Sequence, residues 1–555
     1  MKKRRNIIIS PLLAGILLFS ATAFSSNNSN QSNLAPPSVE STASRADRAV
    51  KVKMLDIVKV ESGLLSGVTG KDPSVKIFKG IPYAAPPVGD LRWKAPQPPA
   101  KWDGVRRADA FGNWSIQTEF DPNFFFTQEF NYTTHEPFSE DSLYLNVYTT
   151  AKSADEKQPV LFWIHGGAML SGSGAEKEFD AEKLAKKGII VVTINYRLGI
   201  FGFFAHPELT KESGGNSSGN YGLLDQIAAL KWVKNNITAF GGDPDKVTID
   251  GQSAGGGSVI NLLASPLAKG LYRGAIIQSA APRTTPMMLL KDKEQVGIKL
   301  AEKWGAKSIN GLRALPVEKF YPKGLNGLQL MGAGYSPNID GYVLTENPAK
   351  TLLEKGVDVS LMIGSTSGEG AVSAVLAPVK AENFIKSAKA KYGAAADEFL
   401  KFYPAGSDEE ANRSNAALSS DESFATLRLV AAVNSNLGRV KVYQYYFDRN
   451  LPGKDSEIYG AFHSSELWYV FNSLVNSKRP WEDADYKLAE AMSSYWANFV
   501  KNGDPNGQGL ANWPAYDSKT DMQMELGTVI GARTIADKDR ITFITKYLTK
   551  AFNIK

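Results

Sequence analysis

The sequence predicts an α/β fold built on a large central, mostly parallel β-sheet. Short, nearly continuous apolar runs rich in β-branched residues alternate with amphipathic helical patterns along most of the chain. No internal repeat and no linker tract divides the body, so residues 51–555 are expected to form one domain.

Taken in order, the candidate strands are "VLFWIHGG" (Val160–Gly167), "GIIVVTINYR" (Gly188–Arg197), "VTID" (Val247–Asp250), "GAIIQS" (Gly274–Ser279), "VSLMIGS" (Val359–Ser365) and "VKVYQYYF" (Val440–Phe447). Each is too short for a helix and too uniformly apolar for a half-exposed strand, which suits strands buried on both faces. Between them lie helical patterns such as "GLLDQIAALKWVKNNI", with Asn220 placed to cap its start.

Ahead of the body, residues 1–24 have the layout of a secretory signal. Lys2, Lys3, Arg4 and Arg5 precede an apolar run from Ile7 to Phe24, which contains an A-x-A site at Ala21-Thr22-Ala23. An uncleaved anchor is the rival reading, since about 18 apolar residues approach the spanning minimum. Arg4-Arg5 also gives a weak twin-arginine likeness. Residues 25–50, a Ser/Asn/Pro-rich stretch, are expected to be disordered. The exported, mature protein is then periplasmic or secreted, with no stable membrane anchor.

Composition narrows the function. Four of the net +6 charges sit in the leader, which leaves +2 on the body and no electrostatic footprint for nucleic acid. There is no cysteine, so disulfides, thiolate metal sites, a cysteine nucleophile and a lipidated N-terminus are all excluded.

The pattern G-x-S-x-G occurs twice, at Ser217 and Ser253, and in a chain with 49 glycines the pattern alone decides nothing. Context separates them. Ser253 follows the strand signal Val247–Ile249 and precedes "GGGSVINLLAS", which can open a helix; strand, sharp turn, helix is the setting of a nucleophile elbow. Gly251, Ala254 and Gly255 supply the small flanks such a turn needs. Ser217 lies in polar, Gly-rich "HPELTKESGGNSSGN" and reads as a loop serine.

A nucleophilic serine needs an oxyanion hole and a base. "HGGA" (His165–Ala168) follows a strand, where backbone N–H groups can face a reacting carbonyl, although a plain strand-end turn would look the same. Of four histidines, His165 lies inside that motif, and His135 and His206 precede Ser253. The serine, acid, histidine order of α/β-hydrolases leaves His463 as the base. Many carboxylates lie between Ser253 and His463; Glu369, at a strand end in "LMIGSTSGEG", is one that qualifies.

Together, "FKGIPYAAPPVGDLRW", "SEDSLYLNVY", "HGGA", "NYRLGIFGF", "GNYGLLDQIAALKWVKNNITAFGGDPDKVTIDGQSAGG", "STSGEG", "GAFHSSEL" and "NFVKNGDPNGQGLANWPAYD" resemble the type-B carboxylesterase and cholinesterase family over about residues 57–530. The resemblance implies an α/β-hydrolase fold with helices on both faces of the sheet and insertions forming a gorge or lid. It also implies Ser253 as nucleophile, Glu369 as acid and His463 as base, with Gly166, Gly167 and Ala254 as oxyanion donors and Ser279 behind the triad. Ser142 and Ser115 stand where the family has a disulfide pair, so the aromatic loop between them ("EFDPNFFFTQEFNY") lacks that clamp and is expected to be more mobile. Gln252 replaces the glutamate that cholinesterases carry, which weakens any case for a cationic choline ester.

The expected activity is hydrolysis of small-molecule carboxylic esters through a Ser-His-Glu triad and an acyl-enzyme, with no metal or organic cofactor. Activity is expected to fall as His463 protonates, near its reference pKa of about 6.5 unless the site shifts it. Two alternatives stay open: amide or carbamate cleavage by the same triad, and a non-catalytic binding protein on the same fold.

Overall fold

The run Val160–Ile164 has no polar face, and the fold gives it none. Val160, Phe162 and Ile164 join one buried cluster, while Leu161 and Trp163 join another on the opposite side of the sheet. Each fully buried large apolar side chain contributes about 1.5–3 kcal/mol relative to exposure, so a strand of this composition is stable only when covered on both faces.

The structure, a computed structural model, describes residues 55–322, 334–535 and 537–554, all within a unit spanning Val52–Lys555. The leader and the polar tract expected over residues 1–50 lie outside the described residues.

Among the described residues eleven strands form the main sheet: β1 (Val68–Thr69), β2 (Lys76–Pro82), β3 (Tyr144–Thr149), β4 (Gln158–Ile164), β5 (Ile190–Ile194), β6 (Gly242–Gln252), β7 (Gly274–Gln278), β8 (Ser360–Thr366), β9 (Val442–Phe447), β10 (Met522–Leu526) and β11 (Ile530–Thr534). Their spatial order is β11-β10-β9-β8-β7-β6-β4-β5-β3-β2-β1. The six apolar runs read from the sequence are β4 to β9. They form the parallel centre, with antiparallel pairs only at the margins. Register sets Ile164 opposite Gly251, Gln252 opposite Gln278 and Gln278 opposite Gly364, so the carboxyl ends of β4, β6, β7 and β8 form one edge.

Helices cover both faces. A short α1 (Phe125–Phe130) lies in the aromatic segment between β2 and β3. Apolar residues of α2 (Tyr221–Asn236), α3 (Ala254–Ala264) and α4 (Asp408–Asn436) share the core of Phe162, and those of α5 (Asp483–Asn502) share the core of Trp163. Asn220 precedes α2 as expected but does not cap it. Its side chain instead pairs with the backbone of buried Asn338, donating to the carbonyl at 2.8 Å and accepting from the N–H at 3.0 Å. Asn338 is fully buried, so its backbone groups need protein partners, and the long-range demand wins over the local one.

Candidate active site

The turn from β6 into α3 admits only small residues around Ser253. A β-carbon at Gly251 would lie 2.4 Å from the Gly255 carbonyl carbon, and one at Gly255 would lie 2.0 Å from the Ile164 oxygen. Ser253 itself is held at φ 57° and ψ −122°, a conformation that costs a non-glycine residue about 1–3 kcal/mol. Its N–H donates to Gln278 O at 2.9 Å, and its carbonyl accepts from Gly257 N–H at 2.8 Å. The strained residue therefore sits at the positive N-terminal end of α3, at the carboxyl edge of the sheet.

Gly166 abuts this turn: a β-carbon there would lie 3.0 Å from Gln252 O and 3.3 Å from Ser253 Cβ. Gly167 and Ala168 are exposed beside it, and Ala254 is the first residue of α3. The structure thus sets Gly166 against the turn that carries Ser253 and Ala254, with Gly167 next in the chain.

Glu369 and His463 meet across the end of β8. Gly368 N–H donates to Ala461 O at 2.9 Å, which joins the two loops. Glu369 Oε2 then contacts His463 Nδ1 directly, while Oε1 accepts from Thr366 N–H at 2.9 Å and from its hydroxyl at 3.2 Å. The contact at His463 Nε2 is with the Gln252 amide, which donates to it at 3.3 Å from the residue adjoining Ser253. Burial alone would raise the Glu369 pKa, but the imidazole of His463 and the hydrogen bonds from His463 and Thr366 outweigh it and hold the carboxyl below its ordinary value. Burial likewise disfavours a charged His463. The carboxylates of Glu369 and Glu466 outweigh that, and the imidazole titrates above its ordinary value.

Ser279 stands at the end of β7 and donates to Glu466 Oε1 at 3.1 Å. Glu466 is fully buried, and its pKa is raised to about 7, first by desolvation and then by Glu369. This carboxyl and the Gln252 contact are site features that sequence reasoning missed. Glu466 lies within the quoted "GAFHSSEL", but nothing in the spacing says that it faces back toward Ser279.

The remaining histidines have structural surroundings. His165 is buried and stacked on Tyr196 at 4.5 Å, and desolvation lowers its pKa to about 4. His206 accepts from Glu208 N–H at a helix start, and His135 stacks on Phe138 at 4.4 Å. Ser217 lies in a loop and donates to Asp340 at 2.6 Å.

Ser115 and Ser142 face each other with their hydroxyls 2.9 Å apart and buried, and Ser115 also donates to Tyr196 O at 2.7 Å. Beyond this junction the aromatic segment makes several side-chain contacts with the rest of the fold. Phe125 packs on Tyr459 and Phe462, and Phe130 on Trp468. Arg479 forks onto Glu129 at 2.7–3.0 Å, and Trp468 donates to the same carboxylate at 3.0 Å. Phe462 directly precedes His463, so the segment packs on the loop that carries the imidazole. Among the described residues no cluster of three or more His, Cys, Asp or Glu could hold a metal ion, and no helix is long and apolar enough to cross a membrane.

The model of the carboxylesterase family matches residues 55–543. A fumonisin B1 esterase of Sphingopyxis macrogoltabida is 34% identical over 85% of this chain and 86% of its own. The para-nitrobenzyl esterase of Bacillus subtilis is also 34% identical, over 84% of this chain and 93% of its own. A solved PNB esterase structure superposes with a TM-score of 0.73 at 33% identity, covering 88% of this chain and all of that one. The architecture is thus the α/β-hydrolase fold. This chain, a carboxylic ester hydrolase, belongs to the carboxylesterase family.

Proposed function

We propose that this protein hydrolyses small-molecule carboxylic esters through Ser253, His463 and Glu369, by way of an acyl-enzyme on Ser253. The observation that carries the reading is the pairing of Glu369 with His463 Nδ1, with Nε2 turned to the β6–α3 turn that bears Ser253. With Nδ1 holding its proton toward Glu369, Nε2 is the basic nitrogen. It takes the Ser253 proton as Oγ adds to the ester carbonyl, displacing the Gln252 amide from its lone pair. Such contacts commonly tighten only when substrate is bound.

The N–H groups of Gly166, Gly167 and Ala254 hold the tetrahedral oxyanion, and each such donor is worth about 10²–10³ in rate. His463 then returns the proton to the departing alkoxide, so the alcohol leaves and the acyl group remains on Ser253. Water, deprotonated by the same imidazole, adds to that ester and releases the acid. Glu369 stays ionised throughout, steadying the imidazolium. The neutral Gln252 beside Nε2 gives no attraction for a cationic alcohol group, which favours uncharged leaving groups such as the para-nitrobenzyl alcohol named in a relative.

Turnover of a para-nitrophenyl ester series, from acetate to long acyl chains, tests this with Ser253→Ala alongside. The expected result is a fall in kcat of about 10⁴–10⁶ in the variant. An unchanged rate in Ser253→Ala, or no turnover of any ester by the parent protein, overturns it. Residues 1–24 are proposed to direct export, with cleavage after Ala23; the N-terminus of the exported protein checks this.

A further inference from the structure

Behind the loop that carries Gly166 and Gly167 lies a buried acid pair that the ester chemistry does not use. Glu178 is completely buried and Glu176 is 7% exposed. Tyr132, from the aromatic segment, places its hydroxyl 3.0 Å from Glu176 Oε2 and 2.9 Å from Glu178 Oε1. A phenol has one hydrogen to give. With two ionised carboxylates that single hydrogen would have to serve both contacts, whereas one shared acidic proton fills each of them, and the geometry favours that arrangement.

The pair reaches both ways. Glu176 Oε1 accepts from Ser173 N–H at 2.7 Å. Gly172, one residue earlier, is clasped by Gln117: its N–H donates to Oε1 at 2.9 Å, and its carbonyl accepts from Nε2 at 3.1 Å. A β-carbon at Gly172 would lie 2.4 Å from His165 Nδ1 and 3.1 Å from Glu176 Oε1, so this backbone has no slack between the acid pair and the oxyanion motif. The Glu178 carbonyl is held by the Ser473 hydroxyl at 2.7 Å.

We infer that Tyr132, Glu176 and Glu178 are positioning residues: a proton-sharing latch that ties the aromatic segment 118–138 to the back of the oxyanion loop and releases it when the shared proton is lost. The inference rests on the assignment of that loop given above.

The titratable groups facing the latch are Tyr132 from the segment, Tyr196 after β5 and His165 before the oxyanion glycines; Lys177 points to solvent. Burial raises Glu176 to about 7. Burial, and then the neighbouring Glu176, hold Glu178 well above the ordinary carboxylate range. Tyr132 is also raised, by burial and by both carboxylates, and stays a donor. Raised folded values mean that the closed latch binds protons more tightly than an opened, hydrated one. Closure is therefore complete below the ordinary carboxylate pKa and weakens as pH rises through the raised values, by up to about tenfold per pH unit for each proton released.

Amide hydrogen exchange tests the latch in the intact protein, using peptides over 118–138 and 165–174 corrected for the intrinsic pH dependence of exchange. In the parent protein, followed from pH 6 to 9.5, protection of both is expected to fall, and to go on falling after a variant lacking the Glu178 proton has levelled off. Glu178→Gln keeps the shape but has no proton to lose, so its protection levels off above pH 7, once Glu176 has titrated. Tyr132→Phe removes the bridging hydroxyl and raises exchange several-fold already at pH 6. Corrected exchange that stays constant across this range in the parent protein, or a Glu178→Gln profile matching the parent, overturns the inference. The readout needs no turnover, so a protein inactive on esters but with the expected profiles would refute the proposed chemistry and leave the latch standing.

Discussion

Glu369, at the proposed triad, and Glu178, behind the proposed oxyanion loop, both hold their carboxyls largely away from solvent, yet their protons behave in opposite ways. Glu369 faces a histidine and gathers hydrogen bonds from Thr366, so its charge is satisfied and its pKa falls. Glu178 faces another carboxylate and a single phenol, so its charge has no counterpart and its pKa climbs. Burial raises both; what each carboxyl faces decides the sign. In the proposed chemistry the first carboxylate stabilises an imidazolium, and in the proposed latch the second serves as a hydrogen-bond donor.

The largest effect that could break this contrast is at Glu369. Glu369→Gln removes the charge opposite Nδ1 and offers an amide that can hold the wrong tautomer. A loss of about 10³–10⁴ in kcat is expected on a para-nitrophenyl ester, with an unchanged circular dichroism spectrum. A loss below tenfold would mean that Glu369 is not the partner that matters.

Next in size is the covalent counterpart of the aromatic segment's clamp. Replacing both Ser115→Cys and Ser142→Cys should give a disulfide under oxidising conditions, because the two hydroxyls already touch. The chain-entropy limit for a loop of this length is about 3–4 kcal/mol, read as a higher denaturation midpoint that is lost on reduction. No difference between oxidised and reduced forms would show that the segment's own side-chain contacts already close it.

The pH profile sharpens the contrast further. A neutral His463 is required to take the Ser253 proton, and its pKa is raised, so the acid limb of kcat/KM is expected above pH 6.5. Glu466→Gln removes one of the negative charges that raise it and should move that limb down. Gln252→Glu, which places a carboxylate at Nε2, should move it up. If neither variant moves the limb, the group titrating there is not His463.

How much of this was legible beforehand depended on whether a residue's neighbours were local. The six apolar runs became the parallel centre of the sheet because their composition already forbade an exposed face. The elbow at Ser253 was readable because the small flanks it needs are adjacent in the chain. The antiparallel margins, β1 to β3 and β10 to β11, were less apparent, since short strands paired on a sheet's flank carry weaker patterns. The contacts of the aromatic segment were not legible either: Glu129, Tyr132 and Phe130 meet Arg479, Glu176 and Trp468, which lie 44 to 350 positions away in the chain.

The sequence by itself determined the fold class, the strand-turn-helix around Ser253 and, by elimination, His463 as the candidate base. Those depend on periodicity, on glycine where a β-carbon cannot fit, and on a count of four histidines. Only the tertiary structure decided which carboxyls are shifted up and which down, that Gln252 sits on Nε2, that Glu466 backs Ser279, and that Tyr132 spans two acids. A side chain's proton depends on the groups within a few ångströms of it, and in this fold those groups come from strands and loops far apart in the chain.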